Sequence, residues 1–435
     1  MPAPLTPERA DAARWTRGVL AVFTLLGFGF GSWLSRLPAT RDHLGASTLE
    51  MSVLGFILAG GSVLGLLVSG RSVAGLGPRR ALAIGVLVQF VAMPAAALLL
   101  WFGLPVPGAA CLAVYGFAFS TCDVAMNVSG ANAERALGKP RMPLLHAGYS
   151  LGSVAAMGVG ALAEVLRVPV PVHLGIGYIL IAAGVLLALR AVPREDGAPR
   201  AARPVPTRTG SIPIPGAASA DAEGSSDAES SSAPEGSEGG APRRGRSPWR
   251  DPRVLAIGLI AMTMALAEGT ASDWLSLALA DGRGLPNADA TLVLGGFFVA
   301  MMLTRIAGSW LLTRFGRVLV LRAGSALVVL GVAAVILVDA PWTAVLGAIL
   351  WGVGAALGFP IGISAAADDP ARAVRNVAAV SAIAYTALLL GPMVIGFLGE
   401  HLGLLTAFWP IAGFALLPLI LARSAEPPAP AEEPA

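Results

Sequence analysis

The sequence is short of charge and of cysteine, and each shortage excludes a class of protein. Only 13% of the 435 residues are charged and 55% are hydrophobic, whereas a soluble domain carries about 25% charge. So little polar surface cannot cover a water-soluble globule. Cys111 and Cys122 are the two cysteines, and no cluster of histidine, cysteine and carboxylate has the spacing of metal ligands. We therefore expect no disulfide, no metal and no cofactor.

The sequence contains long runs of apolar residues. Crossing a bilayer takes roughly 20 residues of helix, and backbone polar groups in lipid must be satisfied within the segment. The sequence therefore predicts an all-α membrane protein with twelve transmembrane helices. The predicted spans cover residues 18–36, 49–69, 81–101, 109–130, 144–163, 172–190, 253–274, 291–311, 318–338, 342–363, 376–398 and 404–422.

The distribution of arginine predicts the orientation. If the N-terminus is cytoplasmic, most of the 30 basic residues fall on the cytoplasmic side of the twelve spans. Short cytoplasmic loops of membrane proteins carry this excess of positive charge. We therefore predict that both termini and the central loop are cytoplasmic. The basic residues form no patch interleaved with aromatics, so we expect no nucleic-acid partner.

The chain divides into two six-helix halves and three polar segments. A cytoplasmic tail at 1–17 precedes the first bundle at 18–190, and the second bundle at 253–423 precedes a tail at 424–435. Between the bundles, residues 191–252 are rich in Pro, Ser, Gly and Ala and have no apolar periodicity. Such a composition cannot bury a core. We expect a disordered linker that tethers the bundles, with a regulatory role as the alternative.

The two halves repeat each other's motifs at a nearly constant spacing. A Gly-punctuated, arginine-rich loop follows the second span of each half. Its first copy contains Gly70, Gly77, Arg79 and Arg80, and its second copy contains Arg314, Gly316 and Arg317. Matched pairs elsewhere include Trp33 with Trp274 and Tyr149 with Tyr385. Parallel repeats with a substrate site between them are an architecture of secondary transporters.

These loops resemble the signature of the major facilitator superfamily, in which Gly begins the loop, Asp follows four residues on, Gly seven on, and basic residues come after. Ala74 replaces the Asp in the first copy, and Ser309 and Thr313 replace the Gly and Asp in the second. The resemblance implies a monomeric twelve-helix transporter whose halves rock about a central cavity. The cytoplasmic charge lock of the signature would here need other acids, such as Asp368 or Asp369.

A narrower resemblance runs through the fourth and fifth spans. The residues that carry it include Asp123, Asn127, Glu134 and His146, together with Arg36 at the end of span one. They resemble a group of bacterial inner-membrane facilitators distantly related to the fucose permease, a sugar/proton symporter. The resemblance implies a location in the bacterial inner membrane, a small organic substrate and coupling to protons.

Asp123 is an ionisable residue within the fourth span. A charged group at membrane depth costs roughly 2.5–3.5 kcal/mol, so it usually faces a cavity and has a function. Ser120, Asp123 and Asn127 share one helix face. We expect Asp123 to bind a proton or substrate and Asn127 to hydrogen-bond the substrate. The alternative is a buried polar contact between helices.

Span seven carries two further acids. Glu268 is the better candidate for proton coupling at the midplane, and Asp273, five residues on, does not share its face. Spans one and seven come together on the outside in the fold that the resemblance implies. We therefore predict that Asp273 forms an outer gate with Arg36.

Several other side chains have two interpretations each. His146 is either solvent-facing or a proton relay. Trp33 and Trp274 either anchor in the lipid headgroup belt or stack on a sugar ring. Tyr149 and Tyr385 either line the cavity or pack between helices.

Arg305 is the one arginine predicted within a span, one turn before Ser309, and Glu134 is predicted at the cytoplasmic end of its span. Arg305 suits a cytoplasmic gate or a contact with an anionic group of the substrate. Glu134 suits a gate or a loop salt bridge with Arg135 or Arg141. The arginines and glycines of the two repeated loops are predicted to belong to the same gating machinery.

The function that best unites these features is secondary active transport of a small organic solute. Proton symport of a sugar-like solute is the first choice, and proton-coupled efflux of a drug or metabolite is the alternative. A membrane enzyme is not expected, because the sequence contains no Ser/His/Asp set, metal cluster or phosphate-binding loop. A scaffold or receptor without transport activity is disfavoured by the polar face of span four and by Glu268.

Overall fold

The computed structural model describes residues 7–139, 141–193, 247–369 and 372–427, and within these ranges the chain is helical with no β-strand. The all-helical architecture predicted from the apolar runs is confirmed. Most of the predicted linker at 191–252 lies outside the described residues, as do the far ends of both predicted tails.

Fourteen α-helices follow one another through the described residues. Helix α1 begins at Pro7, well before the predicted span start, because proline suits the first turn of a helix and the Ala-rich stretch after it favours helix. Part of the predicted N-terminal tail is therefore helical. The helices are α1 (Pro7–Leu34), α2 (Leu37–Leu44), α3 (Thr48–Leu76), α4 (Pro78–Trp101), α5 (Pro105–Leu137), α6 (Met142–Val165), α7 (Val170–Ala188), α8 (Pro252–Arg283), α9 (Asn287–Leu337), α10 (Pro341–Ala355), α11 (Gly358–Ala366), α12 (Ala373–Leu402), α13 (Trp409–Phe414) and α14 (Leu417–Leu421).

The described residues contain the twelve predicted membrane crossings. Ten segments are long and apolar enough to cross a membrane. One of them, α9, has 51 residues and non-helical backbone at Gly316, so it makes two crossings. Helix α6 is not among the ten, but its 24 residues exceed the roughly 20 that a crossing needs.

The last crossing is a series of short helices rather than one continuous helix. Between Thr406 and Ala425 the chain forms a 3₁₀ turn, α13, α14 and a second 3₁₀ turn. Pro410 and Pro418 each lie in the first turn of their helix. Proline is tolerated there, but its ring prevents the preceding helix from continuing through it. The single helix predicted over 404–422 is wrong in this respect.

The repeated loop has the same backbone geometry in both halves. Gly77 has φ 79° and Gly316 has φ 74°. Residues with a Cβ rarely adopt positive φ. Each copy therefore needs glycine at this point, where the chain turns from the second crossing of its half into the third.

Each half forms its own bundle. In the first half, α1 packs against α6 and α7, and α5 packs against α3 and α4; in the second, α9 packs against α10, and α8 against α12. The halves meet where α6 contacts α9 and α3 contacts α12. Large apolar side chains such as Leu67, Val91 and Ile420 are exposed, as expected of surfaces that contact hydrocarbon.

Close packing of α3 on α5 depends on Gly61. A Cβ there would collide with the backbone of Ala113, whereas a Cβ on the neighbouring Gly60 would meet nothing within 4 Å. We expect Gly61→Ala to lower the free energy of unfolding by about 1–3 kcal/mol, the usual cost of overpacking. Gly60→Ala, the matched control, should be neutral or raise it by about 0.5–1 kcal/mol. Thermal unfolding in detergent compares the two variants, and equal midpoints would contradict the close contact.

Candidate functional site

Two polar side chains one turn apart on α5 form the centre of the candidate site. Asn127 Nδ2 donates to the Asp123 backbone oxygen at 2.9 Å and lies 3.4 Å from Asp123 Oδ1. Both side chains are half-buried. The shared helix face predicted from their spacing is present, and the Asn127 amide holds the Asp123 carboxyl in place.

A tyrosine from each half lies within electrostatic range of this carboxyl. Tyr149 on α6 is near enough to Asp123 and Glu268 for the charges of both to act on its phenol. Tyr385 on α12 is similarly within reach of the Asp123 charge, and 37% of its surface is exposed. The two tyrosines matched in the sequence therefore border one site from equivalent helices of the two halves.

An ion pair from the second half completes the cluster. Arg305 Nη2 on α9 donates to Glu268 Oε2 on α8 at 2.8 Å, and Arg305 Nε donates to the Ala356 backbone oxygen at 3.1 Å. The two side chains remain 36% and 29% exposed. The Arg305 side chain thus reaches the central acid Glu268, and both roles predicted for it, a gate and a contact with an anionic group of the substrate, stay predictions.

His146 lies at the edge of the cluster. Its side chain is exposed, and its ring contacts Phe23 edge-on with 5.3 Å between the ring centroids. The charge of Arg305 reaches its imidazole. Both roles predicted for His146, a solvent-facing side chain and a proton relay, are compatible with this position.

Aromatic rings that the sequence analysis missed lie beside the same residues. Phe30 stacks on Phe119 with 5.5 Å between centroids and lies 6.5 Å from Tyr149. Phe359 lies 6.5 Å from Tyr385. No local pattern distinguishes these phenylalanines from lipid-facing ones, so the sequence offered no signal for them. Convergent polar groups among aromatic walls are the usual lining of a small-molecule site.

The matched tryptophans lie between the halves and not at the surface. Trp33 and Trp274 are 5% and 3% exposed, and both line a cavity of about 90 Å³. Asp273 lines the same cavity. Anchoring in the lipid headgroup belt, one of the two predicted roles, is wrong because it needs an indole at the outer surface.

Arg36 does not pair with Asp273 as predicted. Its guanidinium forms an ion pair with Glu164 at 2.9 Å and donates to the Val168 backbone oxygen at 2.7 Å. Glu164 on α6 and the segment after that helix thus supply acceptors for the guanidinium within its own half, whereas its Nε is buried without a partner among the described residues. Asp273 faces the tryptophan-lined cavity instead.

Other contacts do tie the halves together at the end that contains Arg36, which we call the sealed end. Arg41 forms an ion pair with Asp281 across the interface. Asn287 Nδ2 donates to Asp42 Oδ2 at 2.7 Å, and the Leu49 amide donates to Glu400 Oε2 at 3.0 Å. Helices α2, α3 and α6 are thereby linked to α8, α9 and α12.

The opposite end, which contains Pro7 and Ala425, we call the terminal end. The contacts described at this end for Asp368, Arg79 and Glu134 each stay within one half. The Asp368 carboxylate pairs with Arg317 at 2.9 Å and with Arg253 at 3.2 Å. Asp368, which lies outside the repeated loop, thus pairs with Arg317 of the second copy, where Thr313 replaces the Asp of the signature.

Two more gating candidates make contacts within the first half. Arg79 Nη1 donates to the Val192 backbone oxygen at 2.8 Å. Glu134 Oε2 accepts the backbone amides of Arg141 and Met142, at 2.5 Å and 2.8 Å. Glu134 therefore satisfies amides at the start of α6, where a helix has no acceptors of its own. In the part of the chain that the structure describes, Glu134 forms no salt bridge with Arg135 or Arg141, so this predicted pairing is wrong.

Comparison with known proteins places the chain in a family. A transporter of Sinorhizobium fredii described as uncharacterised, y4wD, is 30% identical over 418 residues, 93% of this chain and 97% of that one. The model of the Major Facilitator Superfamily matches residues 257–435. The chain belongs to the major facilitator superfamily. It is therefore a multi-pass membrane transporter and not an enzyme, as the sequence predicted.

Solved structures share the fold of this transporter at low sequence identity. A mutant of the nucleoside transporter NupG superposes with a TM-score of 0.71 at 15% identity, covering 94% of this chain and 99% of that one. The superfamily transporter FucP, solved in the outward conformation, gives 0.58 at 15% identity, with 94% and 98% covered. These likenesses confirm the twelve-helix architecture.

Proposed function

We propose that the transporter carries a small sugar-like solute together with a proton across the bacterial inner membrane. The observation that supports this most directly is the cluster between the halves, where Asp123, Tyr149, Tyr385 and the Glu268–Arg305 pair come together. Ionisable groups at membrane depth are expensive and usually functional. This cluster is partly exposed and contains residues of both halves. A solute bound there can therefore be accessible first from one side of the membrane and then from the other.

The residues of the site on α1, α5, α6 and α12 have the following proposed tasks. The Asp123 carboxyl takes up and releases a proton, since changes in solvation and nearby charge alter its proton affinity. The Asn127 amide and the phenols of Tyr149 and Tyr385 hydrogen-bond hydroxyl groups of the solute. The rings of Phe30 and its neighbours cover the apolar face of the solute. NupG is a nucleoside transporter, and nucleosides present the hydroxyl groups of a sugar ring.

We place the terminal end in the cytoplasm. The arginine-rich loops lie at this end, which agrees with the positive-inside rule, and both termini then lie in the cytoplasm. Since the hydrogen bonds and the ion pair that link the halves lie at the sealed end, we assign the structure to a state open toward the cytoplasm. A monomer has two halves that border the cluster, so it suffices for alternating access.

The proposal predicts proton movement driven by solute. Adding sugars to weakly buffered, de-energised cells that express the transporter should make the medium alkaline, because protons enter with the solute. Asp123→Asn should reduce this proton uptake at least about tenfold, since the amide cannot take up a proton. Asp289→Asn, which neutralises an exposed acid on α9 away from the cluster, should leave it unchanged.

The opposite result would identify the alternative function. Acidification of the medium when a drug-like cation is added, with no response to sugars, would indicate proton-coupled efflux. Sugar uptake without any pH change would contradict proton coupling and leave Asp123 as a solute-binding residue only.

A further inference from the structure

A carboxyl outside the central cluster borders an apolar cavity between the halves. Asp273 on α8 borders the cavity of about 90 Å³ that Trp33 and Trp274 also line. Holding one water takes roughly 10–15 Å³ of such volume, so the cavity has room for several waters. Its natural contents are water and protons.

The walls of this cavity supply no partner for the carboxyl. Apart from Asp273, every lining residue is apolar or aromatic, and the cavity has no second ionisable group; the walls come from α1, α2, α3, α8 and α12. The Asp273 carboxyl makes no hydrogen bond or ion pair with any residue that the structure describes. The neighbouring Trp274 Nε1 is likewise buried without a partner among those residues.

These surroundings decide the protonation state of Asp273 when the end is sealed. An ionised carboxylate in an apolar, membrane-embedded cavity without a counter-charge is far less stable than the neutral acid. Helices of the first half form one wall and helices of the second half form the other. Separating the halves at this end would open the cavity to water, where a carboxyl readily ionises.

We propose that Asp273 is a further proton-binding site, outside the central cluster, and that its protonation seals this end of the transporter. The sealed state then holds one proton more than the open state. By linkage, lowering the pH by one unit shifts the equilibrium toward the sealed state by up to about tenfold. The proposal rests on the alternating access of the proposed function but not on its solute or on Asp123.

Spin-label distances across the sealed end test this directly, with no solute present. Labels go on Leu104→Cys and Asp289→Cys, two exposed positions on opposite halves, in a chain with Cys111 and Cys122 replaced by alanine. In the wild-type background, a short distance should dominate at acid pH, and a longer one should grow as the pH rises. Asp273→Asn should hold the short distance at every pH.

Two further variants make the outcome decisive. Asp273→Glu keeps a titratable carboxyl and should restore the pH dependence, which excludes a folding defect as the cause. Asp123→Asn should retain it. A pH dependence that persists in Asp273→Asn, or that disappears in Asp123→Asn alone, would overturn the proposal. Because the readout is a distance, failure of sugar/proton symport would not alter it.

Discussion

Replacing Arg36 with methionine is expected to lower the free energy of unfolding by about 3 kcal/mol. The Arg36 side chain is only 2% exposed, and it bridges Glu164 and the Val168 backbone oxygen. Methionine occupies similar space but leaves both acceptors without this donor. Removing one partner of a buried pair typically costs about 3–5 kcal/mol, and the lower value applies because the Glu164 side chain keeps 27% exposure.

A double-mutant cycle measures how much of this cost belongs to the pair. Arg36→Met with Glu164→Gln should destabilise by clearly less than the sum of the two single variants. Arg167→Met changes an exposed arginine at the same end and should stay within about 0.5 kcal/mol of the wild type. Denaturant unfolding in detergent gives all four values. Strictly additive losses would show that the ion pair is not energetically coupled.

The fold was predictable because the bilayer permits few alternatives. A run of apolar residues must be helical and of crossing length, so composition alone located the spans. The sequence match of Gly77 with Gly316 corresponds to a shared backbone geometry. A positive φ strongly favours glycine, so this geometry could be recognised from the sequence. Boundaries were less predictable. The early start of α1 and the division of the last crossing by Pro410 and Pro418 depend on local chain chemistry that hydropathy does not contain.

The candidate site was predictable only within single helices. A spacing of four residues placed Asp123 and Asn127 together, because helical geometry fixes that contact. The partner of Arg36 was not predictable in this way, since Asp273 and Glu164 lie on different helices and only their packing decides which one is reached. The same limit applies to Trp33 and Trp274, whose burial depends on how the halves meet.

At the sealed end, equivalent glutamates of the two halves make equivalent hydrogen bonds. Glu164 and Glu400 end equivalent helices, α6 and α12. Each accepts a hydrogen bond from the start of a helix in the opposite half: Asn287 on α9 at 3.5 Å and the Leu49 amide on α3 at 3.0 Å. Helices α3 and α9 are themselves equivalent. The two glutamates therefore form corresponding ties across the interface, and separating the halves must break both.

Neutralising Glu268 is expected to lower solute accumulation by about 100-fold, which corresponds to roughly 2.7 kcal/mol. Glu268→Gln removes an acid from the central cluster and leaves the Arg305 guanidinium without its carboxylate, 2.8 Å away in the wild type. An unpaired charge at membrane depth is costly in every conformation. Arg305→Gln should have a similar effect, because it leaves the carboxylate as the unpaired charge.

The double variant Glu268→Gln with Arg305→Gln separates pairing from proton coupling. It contains neither charge, so exchange of labelled solute across vesicles, which requires no net proton movement, should recover relative to either single variant. Accumulation driven by a proton gradient should remain lost, because the acid is still missing. If Glu268→Gln instead accumulates solute as well as the wild type, Glu268 carries no proton and the ion pair serves only to hold α8 and α9 together. Exchange that fails to recover in the double variant would mean that one of the two side chains contacts the solute itself.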